Sequence, residues 1–99
     1  MEESSIDYEI VLACTGVPAH IGRQAAVDIA EEFTHQSWHR NVRCEWDGRF
    51  LILIAVNDYD ENGLALMDEF SDAISACIEP GFDGGIEVRS IRTMPSAGS

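Results

Sequence analysis

The spacing of apolar residues changes repeatedly along the chain, and each change marks an element. Ile10, Val11 and Leu12 lie at the centre of a run from Tyr8 to Cys14 that reads as a strand. Thr15-Gly16-Val17-Pro18 interrupts it, because proline cannot donate to a ladder. From Ala19 to Ser37 the period becomes helical: Ile21, Ala25, Ile29 and Phe33 recur every four residues, with Gln24, Asp28, Glu31, Glu32 and His35 on the other side. Val42, Cys44 and Trp46 then alternate with Arg43 and Glu45. Asp47-Gly48 predicts a two-residue turn, and Arg49 to Val56 predicts the returning strand of a hairpin. A second helix follows Gly63 and runs to about Ile78 on the stripe Leu66, Phe70, Ala73, Ile74 and Cys77. Pro80-Gly81 ends it, and Gly84-Gly85 leads into a last strand, Ile86 to Arg92.

The order β-α-β-β-α-β predicts an α+β class, ferredoxin-like sandwich: a four-stranded antiparallel sheet, strand order 4-1-3-2, with two helices on one face. A single domain is expected over residues 1–94, with a mobile tail at 95–99. Alternation divides each strand between the two faces of the sheet. The set expected to meet the helices is Tyr8, Ile10, Leu12, Val42, Cys44, Trp46, Phe50, Ile52, Ile54, Val56, Ile86 and Val88. The open face is then expected to carry Val11, Ala13, Leu51 and Leu53 at its centre, with Glu9, Arg43, Glu45, Arg49, Glu87 and Arg89 around them and Ala55 and Ile91 on the same side. An apolar centre ringed by both signs of charge is the pattern of a surface that meets a partner. Because Arg and Glu alternate there, the surface can meet its own symmetry mate, and a homodimer is expected.

Charge narrows the partners. Eighteen acids stand against six basic residues, giving a net charge of -12, and every basic residue is arginine. Lysine-based Schiff chemistry and a P-loop lysine are excluded. Nucleic acid is not an expected partner, since affinity for phosphate backbones comes from basic side chains. No apolar run approaches the ~18–20 residues of a membrane span, so no membrane partner is expected. The acidic N-terminus does not read as a signal peptide, and Cys14, Cys44 and Cys77 have no C-x-x-C spacing, so reduced thiols and a cytoplasmic location are expected.

Two groups of residues offer metal chemistry. Asp58, Asp60 and Asn62, followed by Gly63 and Glu69, match the pattern D-x-[DN]-x-[DN]-G-x5-E of a calcium loop. The three side-chain oxygens and a bidentate Glu69 would surround calcium if the helix began near Met67; if it begins earlier, Asp60 is a cap and Glu69 points away. His35 and His39 lie one helical turn apart near Glu31 and Glu32, without a third zinc ligand in evidence. No catalytic constellation is found: there is no G-x-S-x-G, no cysteine with a base, and no phosphate-binding glycine loop.

The first strand, its small-residue loop and Ile21-Gly22 at the start of the helix resemble the opening of ACT domains, small regulatory modules of the ferredoxin-like fold that often bind amino acids. The resemblance implies a small-molecule ligand at that loop, with Thr15, Gly16, His20 and Gly22 as the residues that would meet it. Gly22 has a second explanation, close packing of helix against sheet. The combined expectation is a non-catalytic ligand- or partner-binding domain that works as a homodimer, with no obligatory cofactor. The alternatives are a calcium-binding domain, an acidic inhibitor of the immunity type that matches a basic protein partner, and a small dimeric enzyme.

Overall fold

A computed structural model describes residues 6–34, 39–77 and 84–95. It contains β1 (Ile6–Cys14), α1 (Ala19–Phe33), β2 (Arg40–Trp46), β3 (Leu51–Asn57), α2 (Leu64–Cys77) and β4 (Ile86–Pro95). The four strands form one antiparallel sheet in the order β2-β3-β1-β4, the expected order read from the other edge. The fold is α+β with the ferredoxin-like arrangement. Strand β4 includes Pro95, one residue into the expected tail; residues 96–99, the expected end of α1 at His35–Ser37 and the Ile78 to Gly81 helix stop lie outside the described residues.

Both helices bury the stripes that their spacing predicts. On α1 these are Gly22, Ala25, Ala26, Ile29 and Phe33, and on α2 Leu66, Phe70, Ala73 and Ile74. They close on Ile10, Leu12 and Cys14 of β1 and on Leu51, Leu53 and Ala55 of β3, all without exposed surface. Gly22 serves this contact: a Cβ there would fall inside the Trp46 indole. The glycine lets α1 approach the sheet closely enough for the ring to lie against its backbone. The first turn of α2 is held by Asp60, whose Oδ1 accepts from the Ala65 amide (3.2 Å) and Oδ2 from the Leu66 amide (2.8 Å). Those amides have no partner within the helix, so the carboxylate is a cap.

The register of β3 corrects the expected division of the faces. Leu12 pairs with Leu53, Cys14 with Leu51 and Ile10 with Ala55, so Leu51, Leu53 and Ala55 face the helices. Ile52, Ile54 and Val56 share the other side with Val11, Ala13 and Glu9. Leu51 and Leu53 therefore belong to the core and not to the open face. The turn explains the parity. The Asp47 amide donates to the Phe50 carbonyl (3.2 Å), and Gly48 has φ 99°, so the central residues are Gly48-Arg49, one position later than expected. Either placement leaves an even number of residues between Trp46 and Leu51 or Leu53 and so puts all three on one side of the sheet; the observed turn sets Trp46 opposite Leu51. In β4, a bulge at Arg89 shifts the pairing between Val11 and Leu12 and turns Ile91, expected on the open face, toward the core beside Ile10.

Candidate interaction surface

Three rows of side chains make up the open face. Pairing sets Glu45, Ile52, Ala13 and Glu87 in the first row, Arg43, Ile54, Val11 and Ser90 in the second, and Arg40, Val56, Glu9 and Arg92 in the third. The two central strands supply the apolar positions, and the edge strands supply charge at both ends. Val11, Ile52 and Ile54 are half-buried, while Arg43, Glu45, Glu87, Arg89 and Arg92 are exposed. Of the expected surface residues, Val11, Arg43, Glu45 and Arg89 lie here, with Arg49 at the adjoining turn. Leu51 and Leu53 do not, and Ile52, Ile54 and Phe50 stand in their place.

The rim is ordered by ion pairs. Arg40 donates to Asp7 (2.6 Å), which is buried, and that hydrogen bond raises the guanidinium further above its ordinary pKa. Arg92 reaches Glu9 (2.8 Å), and Arg89 reaches Glu87 (3.2 Å). The bulge leaves Arg89 without a cross-strand partner and re-aims it: its guanidinium lies over the Phe50 ring at 4.7 Å, with Arg49 at 5.9 Å. From β4 the side chain must cross β1 to reach Phe50, and Ala13, on the β1 it crosses, has no exposed surface. At the turn, Asp47 accepts from the Phe50 (2.7 Å) and Arg49 (2.8 Å) amides, which hold its carboxyl below the usual range.

Charge is segregated between the two sides of the molecule. The strands and the β2–β3 turn hold five of the six arginines, matched by Asp7, Glu9, Glu45, Asp47 and Glu87. The two helices hold Asp28, Glu31, Glu32, Asp68, Glu69 and Asp72 against Arg23.

The remaining sequence candidates are held elsewhere. Thr15 is tied to Gly85: its amide donates to the Gly85 carbonyl (2.8 Å), and its hydroxyl accepts from the Gly85 amide (3.2 Å). Gly16 takes a positive φ of 83°, His20 is exposed on the first turn of α1, and Gly22 faces Trp46 on the core side. In the acidic loop Asn62 accepts from the Leu64 amide (3.3 Å), Asp60 caps α2 and Asp58 is exposed. Because α2 begins at Leu64, Glu69 lies on its second turn and meets His39 at 2.5 Å. Among the described residues no group of three or more His, Cys, Asp and Glu is arranged to hold a metal ion.

His39 has a setting that its sequence position does not announce. Its side chain is fully buried, with the Phe33 and Tyr59 rings at centroid distances of 5.7 and 6.2 Å. The Asn57 side-chain Oδ1 accepts from the Tyr59 (3.2 Å) and Asp60 (2.9 Å) amides, which turns the Asn57 NH2 toward His39 Nδ1 (3.3 Å). The pattern assigns Nδ1 as acceptor and Nε2–H as donor to Glu69. Burial, then the carboxylates of Glu69, Asp60 and Asp58, raises the Tyr59 phenol. A groove of about 180 Å³ beside Glu69 is lined by Glu32, Asp72, Ala73 and Ala76.

No helix of the described residues is long and apolar enough to cross a membrane. No protein-family model, curated protein or solved structure matches the chain.

Proposed function

We propose that this chain is a small non-catalytic partner-binding domain whose working surface is the open face of the sheet, and that a second copy of the chain covers that face. The observation that carries the reading is the pairing of an apolar centre (Val11, Ile52, Ile54) with a rim of balanced charge on the one side of the molecule where charges balance. An isologous interface sets a patch against itself, so a patch with a large net charge repels its own copy. The helices, with six acids to one arginine, would do so. The sheet face would not. Covering the remaining exposed surface of an Ile or Val contributes up to about 1.5–3 kcal/mol for a fully exposed side chain, proportionally less for these half-buried ones, and a symmetric pair counts each residue twice. Sheets packed in this way leave both acidic helix layers pointing outward into solvent.

Mass action supplies the test. If folding and pairing are linked, the melting temperature of the wild type rises with protein concentration, and that dependence is absent in Ile54→Glu. A wild-type melting temperature independent of concentration over the micromolar to millimolar range would remove the support for self-association.

A further inference from the structure

The arrangement of charges on the open face distinguishes between the ways two copies can meet. The first row ends in a carboxylate on both edges, Glu45 and Glu87, and the third row ends in a guanidinium on both edges, Arg40 and Arg92. Glu45 and Glu87 are exposed, and so are the outer parts of Arg40 and Arg92, whose inner contacts are Asp7 and Glu9. In aligned packing, stacked sheets keep their strands within about 30° of one another, and a face-to-face dimer then has its two-fold axis either along the strands or across them.

With the axis along the strands, each row meets the same row with its edges exchanged. Glu45 then faces the partner's Glu87 and Arg40 faces the partner's Arg92, so all four corner contacts are between like charges. With the axis across the strands, each edge meets itself with its rows reversed. Glu45 then faces the partner's Arg40 and Glu87 the partner's Arg92, so all four corners are between opposite charges. Arg43 and Arg89, near the middle row, meet like charge in both arrangements and do not discriminate. The apolar positions fit either arrangement: Ile54 and Val11 meet each other with the axis along the strands and meet their own copies with the axis across them, while Val56 and Ala13 are buried.

We propose that two copies pair through the open sheet face with the two-fold axis running across the strands at Ile54 and Val11, and that Glu45–Arg40 and Glu87–Arg92 contacts between copies set this register. The proposal rests on the sheet-face reading above and adds its orientation. Contacts of this rim type fix orientation and exclude the alternative more than they add affinity. They are also weakened by salt, since the corners face solvent.

The sign of a charge reversal separates the two registers. Dimer dissociation constants are measured by dilution calorimetry at low and at 1 M salt for the wild type, Ile54→Glu, Glu45→Arg and Glu87→Arg, with circular dichroism confirming the fold. The register with the axis across the strands predicts that Glu45→Arg and Glu87→Arg each weaken the dimer, by about ten-fold at low salt and by less at high salt. The register with the axis along the strands predicts that both tighten it, because each new arginine would meet a glutamate. Tightening or no change in either variant overturns the orientation while leaving the sheet face as the interface, provided Ile54→Glu dissociates the dimer. A monomeric wild type, or a dimer indifferent to Ile54→Glu, overturns the sheet-face reading and the register with it.

Discussion

Leu12 and Leu53 stand directly opposite each other in the central strand pair, and neither exposes any surface. One residue further along, Val11 and Ile54 stand opposite each other on the other side of the same pair, and both are half-buried. The structure thus gives two neighbouring residues of β3 different work, although their side chains have the same composition.

Truncations should separate these roles. Leu53→Ala empties part of a closed core and is expected to cost about 2–5 kcal/mol in denaturant unfolding. Ile54→Ala, measured at a protein concentration low enough to keep the chain monomeric, should cost under about 1.5 kcal/mol, because its site already borders solvent. Equal costs at the two positions would mean that the face assignment is wrong.

The expected division of faces failed at β3 for a physical reason. Phe50 to Val56 is an unbroken run of seven apolar residues, so no polar side chain in the run marks which side meets water. The information lay in the turn: pairing across Asp47 to Phe50 sets which β3 residues share a side with Trp46. The bulge at Arg89 had no local signal at all, since Ile86, Val88 and Ile91 break alternation in a way that a strand end can mimic. What was legible depended on local chemistry: the helix stripes, the strand order that follows from the element order, the glycine beneath Trp46 and the cap at Asp60. The His39–Glu69 contact joins residues thirty positions apart and leaves no periodic trace.

Gly22 gives a second prediction. Gly22→Ala forces the Trp46 ring off the α1 backbone and is expected to cost about 1–3 kcal/mol, despite the better helix propensity of alanine. Shrinking the ring should relieve it, so Gly22→Ala in a Trp46→Leu background should cost far less than in the wild type. A stabilised Gly22→Ala, seen by chemical denaturation, would show that the ring does not lie there.

A third prediction concerns the loop before α2. Asp60→Ala removes the acceptor for two backbone amides and should cost about 1–2 kcal/mol, as the loss of a good cap does. With Asp60 engaged as a cap and Glu69 at His39, millimolar calcium is expected to leave the melting temperature of the wild type unchanged. An upward shift that is lost in Asp58→Ala would restore the calcium loop as a binding site.

Cys14 supplies a dependence on pH. Burial pushes its thiol from 9.0 up to about 11, so the folded state holds the neutral form more firmly than the unfolded chain does. This contribution is present in full below pH 9 and is lost as the pH rises toward 11, because there the unfolded chain ionises first. The loss expected over that window is roughly 2–3 kcal/mol. Cys14→Ala should flatten the slope of stability between pH 9 and 11, and native Cys14 should resist thiol labelling at pH 8. A variant with the same slope as the wild type would assign the alkaline loss to other groups.

The open sheet face works as an interaction surface only if a second copy covers it. Sedimentation velocity of the wild type beside Ile54→Glu measures this most directly, since the substitution places a charge at the centre of the face without entering the core. The expected result is a wild-type dimer and an Ile54→Glu monomer with the same circular dichroism. A wild type that sediments as a monomer at every concentration, or a dimer that survives Ile54→Glu intact, would contradict it.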